Sequence, residues 1–235
     1  MSHDSQHLTA QQLRAPRTAA LAGIIFALLT GIAYALIRLA IPADPADSGD
    51  WLGEKTGTVT LALSLVPIAG IAFLWFIGVI RDHLGQREDR FFSSVFFGSG
   101  LLYLAMTFVS AALAGALLAS YAIMPIRVVE GGIYTFGRAV TCRVSNIYAM
   151  RMASVFMFSL GTIWFRTRTM PRLLAFLTYG LAAVLLVVVS YSLWVELIFP
   201  AWVLVISAYI LVMALRGETG VGDGLTVVNK EEEQS

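Results

Sequence analysis

Six long apolar stretches follow one another along the chain, separated by short polar segments. Each is long enough for a helix to cross the hydrocarbon core of a bilayer, which is about 30 Å thick and needs about 20 mostly apolar residues. The apolar residues are continuous and do not alternate with polar ones, so the pattern favours helices over the strands of a membrane barrel. We therefore predict an all-α, polytopic membrane protein, a bundle of six transmembrane helices at about residues 19–41, 58–80, 91–119, 147–165, 173–190 and 198–215.

The composition indicates the same environment. Of the 235 residues, 58% are hydrophobic and 13% are charged, and the mean hydropathy is +0.78. A soluble domain has about 45–50% apolar and about 25% charged residues. A soluble globule could not cover its surface with so few charges, and lipid is the natural solvent for the excess apolar surface.

Several kinds of chemistry are disfavoured by what the sequence contains. The single cysteine, Cys142, excludes an intrachain disulfide and a cysteine-based metal cage, and the net charge of +1 does not suggest nucleic acid as a partner. We find no glycine-rich phosphate loop, zinc-protease motif or nucleophile elbow. We therefore predict no catalytic residue, no metal ligand and no cofactor. No acidic residue lies deep in a predicted span, which argues against a pump built on an intramembrane carboxylate.

Basic residues in the short connections predict the orientation, because cytoplasmic loops of membrane proteins are enriched in Lys and Arg. With the N-terminus inside, ten of the sixteen basic residues are cytoplasmic, while the first outer loop, "PADPADSGDWLGEK", is acidic. We expect a polar cytoplasmic arm at 1–18, a membrane domain at 19–216 and a disordered cytoplasmic tail at 217–235. The first apolar stretch is longer than a signal-peptide core, so we expect it to be retained as a helix.

A charged segment separates two apolar flanks within "FIGVIRDHLGQREDRFFSSVFF", residues 76–97. Its basic and acidic side chains can pair locally, and a glycine permits the chain to reverse. We predict a cytoplasmic turn between the second and third spans. Docking of a partner protein and catalysis by Asp82 and His83 are the alternatives. The residues of this turn are Arg81, Asp82, Gly85, Arg87, Glu88, Asp89 and Arg90.

The same region carries a family resemblance. The block "FLWFIGVIRDHLGQREDRFF", which begins a segment at residues 73–106, resembles one found in uncharacterised bacterial multi-pass membrane proteins with six spans. The resemblance covers roughly a seventh of the chain. It implies a multi-pass protein of the bacterial plasma (inner) membrane, and it brings no activity, cofactor or catalytic residue with it.

Charged residues near membrane depth form a second group of interest, since they are costly in lipid and usually face protein or water. Seven of them, five basic and two acidic, fall near the predicted outer surface. In one interpretation they reach lipid headgroups or pair with the two acids. In the other, the excess positive charge lines an outward-facing vestibule for an anionic ligand or headgroup. The seven residues are Arg38, Arg127, Glu130, Arg138, Arg143, Arg151 and Glu196.

The predicted outer loop at 120–146 is unusually apolar for a loop. Within it, "GRAVTCRVSNIYAMR" has Arg138, Cys142 and Ser145 or Asn146 at the three-to-four-residue spacing of one helix face. This helix either extends the fourth span above the membrane or lies along the interface. The pair Gly131-Gly132 would supply the hinge before it.

Three classes of function remain open. The first is a non-enzymatic protein that acts through helix association, as an accessory subunit or homo-oligomer. It is suggested by the small-residue runs Gly23, Ala27, Gly31 and Ala111, Gly115, Ala119, since membrane helices meet through small residues. The second is a small transporter or channel for an anionic or amphiphilic solute. The third is a membrane-embedded enzyme acting on lipids. The expected partners are the lipid bilayer and another membrane protein or a second copy, with no nucleic acid.

Overall fold

A computed structural model describes residues 2–42, 44, 47, 49–84, 90–167, 170–187 and 193–232. Within these residues the chain is helical and contains no strand. The helices are α1 (Ser2–Ala40), α2 (Trp51–Glu54), α3 (Thr56–Leu84), α4 (Arg90–Ile123), α5 (Pro125–Glu130), α6 (Ile133–Arg143), a π-helical segment (Val144–Ala149), α7 (Met150–Thr167), α8 (Arg172–Val187), α9 (Leu193–Glu196) and α10 (Ile198–Glu232).

The predicted all-α fold is confirmed within the described residues, and five of the helical stretches are long and apolar enough to cross a membrane. The sixth apolar stretch forms α8, whose 16 residues are fewer than the about 20 that a span needs. The sixth span therefore stays a prediction. The five candidate spans are Arg17–Ala40, Thr56–Asp82, Phe91–Ile123, Ile133–Thr167 and Trp194–Arg216.

The fourth of these spans begins earlier than its apolar core. Helix α6, the π-helical segment and α7 form one continuous helix, so "GRAVTCRVSNIYAMR" extends the predicted span 147–165. Before α6, Gly132 has a φ of 73°, in the left-handed region that glycine adopts without strain. This residue provides the change of direction from α5 that the sequence predicted for Gly131-Gly132.

The polar arm at 1–18 and the disordered cytoplasmic tail at 217–235 stay predictions. Helix α10 extends to Glu232 and α1 begins at Ser2. A helix makes its backbone hydrogen bonds within its own segment. A polar composition therefore keeps a segment out of an apolar core without preventing it from being helical.

The charged segment lies between two long helices, as predicted for a turn. Arg81 and Asp82 are exposed near the end of α3, and α4 begins at Arg90. The Arg81 guanidinium lies 4.3 Å from the centre of the Phe97 ring on α4. Gly85, Arg87, Glu88 and Asp89 lie outside the described residues.

An aromatic cluster forms the centre of the bundle, with one ring from each of α1, α3, α4, α7 and α10. The Phe73 ring centre lies 4.6 Å from that of Phe26, 5.5 Å from Tyr103, 5.6 Å from Phe156 and 5.8 Å from Phe199. All five side chains are buried. We call this set the aromatic core. It connects the five long helices, because each of the other four contributes one ring that packs against Phe73 of α3.

Helix α8 is positioned by hydrogen bonds to its two neighbours. The Ser154 hydroxyl on α7 donates to the Ala182 carbonyl oxygen at 2.7 Å. The Trp202 indole N–H on α10 donates to the Thr178 hydroxyl at 2.9 Å. Polar groups in an apolar interior must be paired, so these contacts fix both the rotation and the height of α8.

We expect Gly23→Leu to lower the free energy of unfolding by about 1–3 kcal/mol, the usual cost of overpacking. A side chain at position 23 would overlap the Ser207 hydroxyl and the Phe76 ring, whereas nothing lies within 4 Å of a Cβ built at Gly31. Gly31→Leu, on the same helix, is the matched control. Thermal unfolding of the detergent-solubilised protein measures both, and an equal loss for the two variants would contradict this packing of α1.

Candidate ligand-binding cavity

A cavity of about 410 Å³ opens at one end of the bundle. This is the end at which α1 ends and α3 begins, and at which α4 ends and α6 begins. We call it the loop end. Small-molecule sites commonly have volumes of about 300–1,000 Å³, so the cavity has the size of a ligand site. Its polar lining residues are Arg38, Thr107, Ser110, Arg138, Thr141, Cys142, Ser145, Asn146 and Glu196.

The remaining lining is mainly apolar and comes from different helices. Helices α1, α3 and α4 contribute aliphatic side chains, while most polar groups come from α6, the π-helical segment and α9. The cavity is therefore amphipathic, with an apolar wall facing a polar one. The aliphatic, aromatic and proline lining residues are Tyr34, Ile37, Ile41, Pro42, Trp51, Val59, Leu63, Val66, Ala111, Ala114 and Leu117.

A hydrogen-bond network closes one side of the cavity. The Arg138 guanidinium donates to the Pro42 carbonyl oxygen at 2.7 Å and lies 3.4 Å from the Asp47 carboxylate. The Tyr134 hydroxyl donates to Asp47 at 2.7 Å and accepts from the Trp51 indole N–H at 2.8 Å and from Arg138 at 3.0 Å. This network joins the connection between α1 and α3 to α6, and it satisfies every hydrogen-bonding site of the Tyr134 hydroxyl.

The predicted polar face of α6 is confirmed. Arg138, Cys142, Ser145 and Asn146 all line the cavity. Ser145 and Asn146 lie in the π-helical segment, where the Met150 N–H bonds to the Ser145 carbonyl oxygen five residues earlier. Such single-turn π segments are common at functional sites.

Glu196 is the most buried charged residue of the lining, with 2% of its surface exposed. Its carboxylate accepts a hydrogen bond from the Ser145 hydroxyl. Within the described part of the chain, no basic group forms an ion pair with it. A buried carboxylate is costly unless it is paired and hydrogen-bonded, so this group has unused capacity for a donor.

One further lining group, the Asn146 Oδ1 atom, has no hydrogen-bond partner among the described residues, and its side chain is only 8% exposed. Most buried side-chain polar atoms in proteins are hydrogen-bonded. The position of Asn146 on the lining leaves this acceptor available to a ligand or a water molecule in the cavity.

Arg38 lies in the last turn of α1 and is half-buried. Its guanidinium lies 5.9 Å from the centre of the Trp194 ring. Arg38 lines the cavity and makes no hydrogen bond or ion pair with a described residue, so its guanidinium has no anionic partner from the described part of the chain.

The structure brings together three of the seven residues predicted near the outer surface: Arg38, Arg138 and Glu196. The other four do not line the cavity. Arg151 is half-buried on α7, and Arg127, Glu130 and Arg143 are exposed.

The excess of positive charge that the sequence suggested does not hold within the cavity. Arg138 pairs with Asp47, and not with Glu130 or Glu196. Asp47 stands out in the sequence only as part of an acidic loop, and its pairing across 91 residues has no local signal. Tyr34 and Trp51 were also missed, because an aromatic residue beside an apolar stretch looks like ordinary packing or an interface anchor.

Comparisons with family models, curated proteins and solved structures found no match to this chain. The resemblance of the block at residues 73–106 to bacterial multi-pass membrane proteins stays a prediction.

Proposed function

We propose that the chain is a small membrane transporter or channel that takes up an amphiphilic solute through the loop-end cavity. The observation that carries this proposal is the cavity itself, in which Arg38 and Glu196 face an apolar wall within one ligand-sized space. A protein that acted only through helix association would have no use for buried charged and unpaired polar groups around a cavity, because such groups are costly in an apolar interior.

The membrane arrangement that goes with this function has six spans with both termini in the cytoplasm of a bacterial cell. In this arrangement the sixth span contains apolar α8. The basic residues then collect on the inside, and the cavity opens to the outside. The bacterial inner membrane rests on the resemblance of the block at residues 73–106.

A small void lies beside the cavity, toward the centre of the bundle. It has a volume of about 10 Å³, room for about one water molecule, and it shares Tyr34, Val66 and Thr107 with the cavity lining. The buried Thr30 hydroxyl lines this void and has no hydrogen-bond partner among the described residues. The aromatic core lies beside it and closes the route toward the other end of the bundle. This arrangement supports an outward-facing state.

Association through small residues stays a prediction. Gly23 packs inside the bundle against Ser207 and Phe76, so this part of its run serves internal packing. At Gly31 and Gly115, no heavy atom lies within 4 Å of the position that a Cβ would occupy, which leaves room for a neighbouring helix. An oligomer formed there is compatible with a cavity in each copy.

Labelling of Cys142 tests the proposed function. It is the single cysteine of the chain and lines the cavity, so the natural protein carries its own probe. In intact cells we expect a membrane-impermeant thiosulfonate to modify Cys142. Leu63→Trp should slow the modification several-fold, because Leu63 lines the cavity and a larger side chain fills it. The rate is read by mass spectrometry after timed quenching.

Two controls make this experiment decisive. Leu61→Trp, on the same helix but exposed and away from the cavity, should leave the rate unchanged. In a Cys142→Ser background, Asp82→Cys should react only after the membranes are opened, since Asp82 is exposed near the opposite end of α3. If Cys142 is modified only in opened membranes, or equally in the two tryptophan variants, the outward-facing cavity is wrong.

A further inference from the structure

We propose that the cavity selects a zwitterionic small molecule, whose ammonium group lies at Glu196 and Asn146 and whose acidic group lies at Arg38. This inference rests on the proposed function and narrows its solute class. It is carried by two unlike charges, Arg38 and Glu196, that line one cavity without pairing with each other, and by the buried Asn146 Oδ1 atom, which has no donor among the described residues.

The Glu196 end of the cavity is a site for a hydrogen-bond donor with positive charge. One carboxylate oxygen of Glu196 accepts from Ser145, and a carboxylate has about four lone-pair sites. The Asn146 Oδ1 atom is buried and accepts no hydrogen bond from a described residue. An ammonium group has three N–H donors and one positive charge, which matches a carboxylate and an amide oxygen.

The Arg38 end is a site for an acid. The Trp194 ring lies against the guanidinium, and a ring on one side leaves the N–H edge for a second partner. A planar guanidinium binds a carboxylate or a phosphate through paired hydrogen bonds. Arg38 makes no such bond to any described residue, whereas the donors of Arg138 are used by Pro42, Asp47 and Tyr134.

The charges of the lining residues favour a ligand that carries both a positive and a negative group. Arg138 and Asp47 neutralise each other, which leaves one positive and one negative side chain on the lining. A purely anionic solute would meet the buried Glu196 carboxylate, and a purely cationic one would meet Arg38. A zwitterion satisfies both groups, and its carbon chain contacts the wall formed by Ile37, Leu63 and Ala111.

Protection of Cys142 against the thiosulfonate reagent tests this inference on the full-length protein in proteoliposomes. The four compounds have the same six carbons: norleucine and 6-aminohexanoate, which carry both charges at short and long spacing, hexanoate and hexylamine. We expect at least one zwitterion to protect Cys142 at a concentration about tenfold lower than either compound with a single charge. Equal protection by hexanoate or hexylamine, or no protection by either zwitterion, would overturn the proposal.

Charge-removing variants assign the two ends. Glu196→Gln keeps the shape and the hydrogen bond from Ser145, and it should abolish the advantage of the zwitterion over hexanoate. Arg38→Gln should abolish its advantage over hexylamine. Arg151→Gln, at a half-buried arginine away from the lining, should keep both advantages. Each advantage is the ratio of two protecting concentrations measured on the same variant. A general loss of folding would weaken protection by both compounds and leave this ratio unchanged.

Asn146→Ala provides an independent measurement if Glu196→Gln does not fold. It keeps all charges and should weaken protection by the preferred zwitterion several-fold while leaving hexanoate unchanged. Unchanged protection by both compounds would argue against the ammonium site. If Cys142 is not modified at all in the free protein, the proposed function itself fails. If it is modified but shows no preference for a zwitterion, only the present inference fails.

Discussion

Phe73→Ala is expected to lower the free energy of unfolding by about 3 kcal/mol, at the lower end of the range for phenylalanine truncation in protein cores. Phe73 contacts four other rings of the aromatic core and is fully buried. Lipid tails are as apolar as the interior, so the loss comes from packing and not from transfer out of water. Unfolding in mixed micelles, followed by tryptophan fluorescence, measures the change.

Phe91→Ala is the matched control for the aromatic core. Phe91 lies on α4 with 65% of its surface exposed, so its truncation should cost little. Phe73→Ala should also shift the unfolding of all five long helices together, because each contributes a ring to this contact. An equal loss for the two variants, or separate unfolding of α10, would show that the helices are not joined there.

Arg138→Met is expected to cost about 2 kcal/mol of stability, since hydrogen bonds to charged groups contribute about 1.5–3 kcal/mol each and this pair is only partly shielded from solvent. The change leaves the Pro42 carbonyl oxygen without its donor and removes the charged partner of the Asp47 carboxylate, which keeps its hydrogen bonds from the Tyr134 hydroxyl and the Gly49 N–H. Asp47 and Arg138 have side chains 12% and 14% exposed, so water replaces the lost bonds incompletely. Thermal unfolding in detergent measures the loss.

Arg143→Met is the control on the same helix, because Arg143 is exposed and its loss should change the stability very little. A double-mutant cycle with Asp47→Asn isolates the pair. We expect the double variant to lose clearly less than the sum of the single losses. Strict additivity, or an equal cost for Arg143→Met, would mean that the network around Tyr134 does not depend on the Arg138–Asp47 contact.

Much of the fold could be predicted from the sequence because apolar length is a local property. A continuous run such as 58–80 specifies a membrane helix without reference to any partner, and α3 contains that whole run. The same argument is weak for α8, where the described helix is shorter than a bilayer core. Helix ends were harder to place, because Ile133–Arg143 and the segment after residue 216 are helical without being strongly apolar.

The candidate site was predictable only where the sequence placed polar residues on one face of a helix. In α6, polar residues recur at helical spacing, so the cavity face could be identified from Arg138 and Cys142. Helix α4 is apolar on all sides, and nothing in its sequence indicated that Ser110 and Ala114 face the cavity. The charges of Arg38 and Arg151 indicated that both lie near the membrane surface. They did not indicate that Arg38 lines the cavity and Arg151 does not.

The π-helical segment at Val144–Ala149 has a consequence for how this cavity could change during divergence of the sequence. A wide turn absorbs one extra residue, so the segments on its two sides keep the relative orientation that a regular helix one residue shorter would give; the same residue added to a regular turn would rotate them by about 100°. Deleting a single residue there would let the turn relax to regular geometry while Arg138 and Cys142 still lined the cavity and α7 kept its packing. One codon could thus be lost at this place, but not from the regular turns of α7, without turning Arg138 and Cys142 away from the space they line.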